Sequence, residues 1–202
     1  MPDGVLIRQR KRLPHWEAPK SIYLVTFRLA DSLPAGWLHK IKIERQAAIE
    51  EARRHGATIL VAEEKRIRRL FSQRTEEYLD KGSGSCSLAN SAHAEVVAGA
   101  LCHFAGVRYK LYAWCVMPNH VHVVFQPHPG FSLAEIVHSW KSFTAHKIKS
   151  ASAPGEGLWQ REYYDHLIRD GKQFARAVRY VAENPERAGL KGWRWVEVRD
   201  AD

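Results

Sequence analysis

Trp114-Cys115-Val116-Met117-Pro118-Asn119-His120-Val121-His122-Val123-Val124-Phe125 holds two apolar runs separated by Pro118-Asn119, with a His-x-His pair opening the second. Pro and Asn favour tight turns, so Arg108 to Val116 and Val121 to Gln126 read as two strands of a hairpin-like pair that closes at Gln126-Pro127. Strand side chains alternate between the two faces, so His120 and His122 point the same way and both imidazoles can reach one ion. The plain alternative is that two polar residues occupy the wetter face of a half-buried strand. The strongly apolar surroundings favour a metal site on a sheet.

Working outward, Ser21 to Leu29 (Ser-Ile-Tyr-Leu-Val-Thr-Phe-Arg-Leu) is rich in β-branched and aromatic residues and predicts a buried strand. From Trp37 to about Thr58, and again from Ala62 to about Leu79, apolar positions recur at helical spacing among charges. These segments read as a helical insertion, about 37–92, with a solvated outer face. Lys81 to Cys86 is a flexible connector, and Ala92 to Phe104 is the next helix. Ser132 to Ile148 is helical, with Ser132 and Glu135 in capping-box register. Ser150 to Gly157 reads as a small-residue loop. Leu158 to Gln160 and Tyr164 to Ile168 give a fourth strand region, and the last helix runs from about Lys172 to Glu183, stopping near Asn184-Pro185 because the residue before proline disfavours helical geometry. The order predicts an α+β domain, an antiparallel sheet packed by helices, ferredoxin/RRM-like. Residues 21–202 form that single domain, behind a basic, mobile N-terminal arm at 1–20.

Composition narrows the partners. Among 202 residues, 31 Lys and Arg stand against 22 Asp and Glu, a formal net charge of +9. Nucleic acid is the first partner to consider, since a basic surface gains affinity by releasing counterions from phosphates. Arg10, Lys11 and Arg12 of the arm, with Lys141, Arg161 and Arg179, are the candidate phosphate contacts; solvated surface charge is the alternative. Cys86, Cys102 and Cys115 lack C-x-x-C spacing, which argues against a disulfide framework or zinc knuckle and fits a reducing compartment. No apolar run approaches the roughly 20 residues of a membrane span, so a soluble protein without a membrane partner is expected.

On the last helix, Phe174, Ala177, Val178 and Val181 form the buried stripe, and Tyr180 and Asn184 are neighbours at its edge, four residues apart. A phenol is a poor nucleophile at a pKa near 10, but it can attack a phosphodiester when a divalent cation polarises the phosphate. Asn184 can supply an oxygen ligand beside the two imidazoles. From the helix pattern alone, Tyr180 as a packing residue and Asn184 as a helix-end cap are the favoured readings.

Four motifs occur in order: Met117-Pro118-Asn119-His120-Val121-His122, Ser139-Trp140-Lys141-Ser142-Phe143, Leu158-Trp159-Gln160-Arg161-Glu162-Tyr163-Tyr164, and Arg179-Tyr180-Val181-Ala182-Glu183-Asn184-Pro185-Glu186-Arg187-Ala188-Gly189-Leu190. Together they closely resemble the REP-associated tyrosine transposases, within the single-tyrosine HUH transposase superfamily that includes the IS200 type. The similarity spans roughly Ser21 to Trp195, with Trp37 to Ala92 resembling a family-variable insertion. The resemblance implies an HUH fold in which His120, His122 and Asn184 bind Mg²⁺ or Mn²⁺ and Tyr180 is the nucleophile. It further implies cleavage and rejoining of hairpin-containing (REP-like) single-stranded DNA through a 5′-phosphotyrosine, with no nucleotide cofactor, by a monomer or homodimer. A cytoplasmic location, on the nucleoid when bound to DNA, goes with it. Tyr163-Tyr164 resembles the tandem pair of two-tyrosine relatives but lacks a ligand-type residue four positions on, so Tyr180 is the nucleophile of choice. His128, His138, His146 and His166 read as surface or loop residues. The competing class is a non-catalytic single-stranded nucleic-acid-binding module with an RRM-like sheet, and a metal-dependent phosphohydrolase is a third.

Overall fold

The computed structural model describes residues 6–10, 13–17, 21–54, 57–148 and 157–199. Two strands come first, β1 (Leu6–Arg10) and β2 (Leu13–Glu17), paired antiparallel with each other. The N-terminal segment expected as a mobile arm therefore contains a hairpin, because Leu13 to Glu17 supplies strand-compatible residues opposite the basic run. Arg10 lies on β1, whereas Lys11 and Arg12 fall outside the described residues.

The β-branched and aromatic run after Ser21 becomes β3 (Ile22–Arg28). The chain then divides into two compact units, 1–30 with 86–202, and 31–85. The second unit holds α1 (Ala35–Arg54) and α2 (Ala57–Asp80) as an antiparallel pair. Trp37 packs on Tyr78 with ring centroids 4.7 Å apart, Arg74 meets Glu44 at 2.7 Å, and Ile49, Ala52 and Ile67 are buried between the helices. Its connector closes on itself: Gly84 adopts φ +86°, and a Cβ there would stand 2.7 Å from the Asp31 carbonyl oxygen.

In the first unit α3 (Ser91–His103) leads to β4 (Tyr109–Val116), β5 (His120–Pro127), α4 (Leu133–Lys147), β6 (Tyr164–Ile168), α5 (Gly171–Arg187) and β7 (Val196–Val198). Five strands form one antiparallel sheet in the order β6-β3-β5-β4-β7. The Met117 N–H donates to the His120 carbonyl at 2.8 Å, closing the turn at Pro118-Asn119. Ser132 caps α4 as its spacing predicts: the Glu135 N–H donates to Ser132 Oγ and the Ser132 N–H to Glu135 Oε2. Strand β7 was not expected. Its three residues are too few to show alternation, and it is held by β4, whose Val116 N–H donates to the Trp195 carbonyl and whose Val116 carbonyl accepts from Trp193 Nε1.

Both sheet faces are covered. On one, Val25, Phe27, Val121, Val123 and Phe125 pack against Val97 and Leu101 of α3 and Ile136, Val137 and Trp140 of α4. The motif tryptophans belong here. Trp140 Nε1 donates to Tyr109 Oη at 2.9 Å, which donates to the Leu101 carbonyl at 2.8 Å, and Trp159 Nε1 donates to Thr144 Oγ1 at 2.8 Å. Each buried polar tip thus has a partner, as burial requires. On the other face, Val124, Cys115, Met117 and Ile168 meet Ala177 and Val181 of α5. A β-bulge at Tyr112 reconciles β4 with these two cores: Leu111 pairs with Phe125 and Ala113 with Val124, so Tyr112 is the extra residue. Tyr109 and Leu111 face α4 before the bulge, Trp114 and Val116 after it.

The last helix passes through Asn184-Pro185 to Arg187, contrary to the stop expected there. Proline removes one N–H and crowds the preceding turn, but here it lies in the final turn, and the carbonyls of residues 184 and 185 are taken up by the chain beyond. The Ala188 N–H donates to the Asn184 carbonyl and the Leu190 N–H to the Pro185 carbonyl.

Candidate active site

Strand β5 carries His120, His122 and Val124 toward α5, while Val121, Val123 and Phe125 go to the opposite core. Both histidines are fully buried, and their Nε2 atoms stand 3.0 Å apart. Their other nitrogens are anchored: His120 Nδ1 lies 2.7 Å from Asn119 Oδ1, and His122 Nδ1 lies 2.7 Å from Thr26 Oγ1 on the neighbouring strand, its register partner. An amide oxygen only accepts, so His120 carries its proton on Nδ1 and presents a bare Nε2. Burial, then the neighbouring His122, holds His120 well below the usual histidine range. Burial, then Arg187, pushes His122 down to about 3. Both rings are neutral at physiological pH, the state in which imidazole ligates a metal.

Helix α5 brings the remaining pieces. Its inward stripe is Ala177, Val181 and Asn184, with Tyr180 half-buried beside it. Tyr180 Oη stands 3.4 Å from His122 Nε2, and the rings meet edge to face at 5.1 Å. The Arg187 guanidinium lies over the Tyr180 ring, 5.4 Å from its centroid. Asn184, one turn on, is fully buried, and neither its Oδ1 nor its Nδ2 has a hydrogen-bond partner. Leaving a buried amide unpaired costs about 1–3 kcal/mol, and an amide oxygen in this state is able to accept a cation. Among the described residues no group of three His, Cys, Asp or Glu could hold a metal. Two imidazoles and one amide are a donor set outside that description, and they fit a divalent ion that keeps open positions.

The other predicted residues are spread apart. Arg161 and Arg179 are exposed and available to phosphate. Lys141 is half-buried, and its ammonium donates to the Gln160 and Arg161 carbonyls, each at 2.8 Å, tying α4 to the segment that leads into β6. Tyr163 is buried in the α4-side core, and Tyr164 is exposed on the edge strand β6. His138, His146 and His166 are exposed, and His128 is half-buried in the loop after β5. Sequence reasoning missed Thr26 and Asn119. The available signal was that Thr26 and Arg28 are the polar residues of β3, spaced by two and hence on one face.

Residues 92–184 match the family described as "Transposase IS200 like". A REP-associated tyrosine transposase of Haemophilus influenzae is 29% identical over 99 residues, covering 42% of this chain and 56% of the relative. One from Escherichia coli is 27% identical over 90 residues, covering 44% and 48%. The chain thus spans about half the length of these curated relatives. A solved structure of a REP-associated tyrosine transposase bound to a REP hairpin superposes on 94% of this chain and 82% of its own, with a TM-score of 0.56 and 14% identity, so the fold is shared. No helix among the described residues is long and apolar enough to cross a membrane.

Proposed function

With residues 92–184 matching the IS200-like transposases, we propose that the protein cleaves and rejoins hairpin-containing single-stranded DNA, with Tyr180 as nucleophile. The observation that carries this reading is Tyr180 Oη at 3.4 Å from His122 Nε2, one helical turn from the partnerless buried amide of Asn184. His120, His122 and Asn184 would hold Mg²⁺ or Mn²⁺, which polarises a phosphodiester and offsets the charge that develops on it.

Tyr180 Oη forms a bond to phosphorus while the bond from phosphorus to the 3′-oxygen breaks. The phenol proton passes to solvent and the 3′-oxygen takes one up. The products are a 5′-phosphotyrosine and a free 3′-hydroxyl, and attack by the 3′-hydroxyl of a second strand end reverses the step. One phosphodiester is exchanged for another, so no nucleotide cofactor is needed. Val181 and Ala177, packed on the sheet, hold the phenol in place, which supplies the orientation that such an attack requires. The net charge of +9, with exposed Arg161 and Arg179, supports a phosphate-rich partner.

The test is incubation with labelled REP-like hairpin single strands, with Mn²⁺ or with chelator, followed by denaturing electrophoresis. A metal-dependent covalent adduct is expected from the wild type and none from Tyr180→Phe, which should still bind DNA. Cleavage without an adduct would point to hydrolysis. Tight binding with neither product, across several hairpins, would leave a binding module.

A further inference from the structure

Register partners on antiparallel strands share a face, so the pairings through His122 define a row across the sheet. Cys115, His122, Thr26 and Tyr164 all stand in it, on the α5 side. Arg28, the register partner of His120, lies on the same face. Helix α5 covers only part of that face. Along β6 its residues run from Ile168, buried in the α5-side core, through exposed His166 to Tyr164, which is 41% exposed. Along β3 they run from Ile22 and Leu24, packed on the same core, to Thr26 and the half-buried Arg28. The corner of the sheet that α5 leaves open therefore carries a phenol ring and a guanidinium beside the histidine pair. Neighbouring strands lie about 4.8 Å apart, so Tyr164, two strands over, has its backbone about 10 Å from that of His122.

Resting on the reading of His120, His122 and Asn184 as the metal site for a scissile phosphate, we propose that Tyr164 and Arg28 form a nucleotide subsite next to it. The unpaired base adjoining the scissile phosphate stacks on the Tyr164 ring, and Arg28 takes a phosphate of the same strand. Sites for single strands combine cations along the backbone with aromatic rings on which bases stack, and every base has a π-face to offer. A guanidinium suits phosphate because its planar fork matches the oxygens. The subsite is continuous with the metal site, so one strand can occupy both. Bases in a duplex stay stacked on each other, so this corner favours an unpaired flank over a paired stem. The two adjacent tyrosines thus part company: Tyr163 is buried in the α4-side core, and Tyr164 faces the DNA.

The test is binding of hairpin DNA with unpaired flanks, measured in chelator so that nothing is cleaved, for wild type, Tyr164→Phe, Tyr164→Ala and Arg28→Gln. Loss of a ring that stacks one base weakens binding about 5–140-fold. That loss is expected of Tyr164→Ala and not of Tyr164→Phe, which keeps the ring. A set of strands each lacking one base locates the occupant. One unpaired position, next to the phosphate cleaved when Mn²⁺ is added, should cost wild type the same factor and cost Tyr164→Ala nothing further. Arg28→Gln should reduce the slope of log K against log salt by about 0.7. Tyr164→Phe should still form the metal-dependent adduct, since stacking needs no hydroxyl. Equal affinity in Tyr164→Ala, base losses that cost wild type and Tyr164→Ala alike at every position, or an unchanged salt slope in Arg28→Gln overturns the subsite and leaves Tyr180 as nucleophile. An adduct lost from Tyr164→Phe and kept by Tyr180→Phe makes Tyr164 the nucleophile and overturns both. A wild type that shows these binding dependences and forms no adduct with Mn²⁺ supports the subsite and overturns the cleavage reading.

Discussion

Replacing Asn184 by leucine should make the metal-free protein more stable while abolishing its chemistry. The amide is fully buried, and both of its polar atoms lack partners. An unsatisfied buried polar group costs about 1–3 kcal/mol. Leucine keeps the branch at Cγ and replaces both polar atoms with methyls, at the expense of some crowding against the sheet. A net gain of about 2 kcal/mol is expected, which in a protein of this size raises Tm by about 4–8 °C. The assay is thermal unfolding in chelator, followed by the same measurement with Mn²⁺ added. A ligand that binds only the folded state stabilises it by about 2.7 kcal/mol at one hundred times its Kd, so wild type should gain on addition of Mn²⁺ and Asn184→Leu should not. The variant should form no DNA adduct. A metal-free Asn184→Leu protein less stable than wild type would mean that the amide is a structural group whose bonding has been misread, and the reasoning would fail.

Four further outcomes are expected. His120 and His122 have folded pKa values below the usual 6.5, His122 near 3, so between those limits the unfolded chain takes up protons first; stability should be complete above pH 6.5 and fall as pH drops toward 3, by up to about 1.4 kcal/mol per pH unit for one group. A flat denaturation midpoint across that range would contradict the burial of neutral imidazoles. Trp159→Phe removes the donor to Thr144 Oγ1 and should cost about 1–3 kcal/mol in urea unfolding, with the metal affinity of the folded protein unchanged. Gly84→Ala should loosen the connector of the helical unit by more than about 1 kcal/mol, because φ is +86° and the new Cβ meets a backbone oxygen at 2.7 Å; unchanged resistance to proteolysis at 81–86 would refute this. Lys141→Met should lower stability by about 1–2 kcal/mol through the loss of two carbonyl contacts, and a reduced Tm in DNA-free protein separates this from a lost phosphate contact.

What was legible in the sequence was what a short period encodes. Alternation placed His120 and His122 on one face, helical spacing put Tyr180 beside Asn184, and the capping box fixed the start of α4. What escaped depends on contacts between distant segments. Thr26 and His122 are partners 96 residues apart, and only strand register brings them together. Pro185 predicts a stop, yet the bonds of Ala188 and Leu190 back to residues 184 and 185 carry the helix past it. The anchoring of Lys141 also escaped, because its two acceptors are backbone carbonyls some 20 residues away, which no side-chain pattern advertises. Strand β7 exists because β4 has a free edge to pair with, a property of the sheet and not of Val196-Glu197-Val198.

The extra residue at Tyr112 works as a frame correction in β4. Upstream of it the odd-numbered side chains face α4, and downstream the even-numbered ones do. Cys115, the cross-strand neighbour of His122, is thereby set on the α5 side, and Trp114 on the other. Were the same residues paired without the bulge, Trp114 would stand opposite His122, and an indole would occupy the place of a thiol next to the imidazoles. A single residue thus decides whether the floor of the site is small or bulky: an added residue between Tyr112 and Cys115 should be tolerated only when a second change restores the frame, whereas deletion of Tyr112 itself leaves the partners of Ala113, Trp114 and Cys115 unchanged.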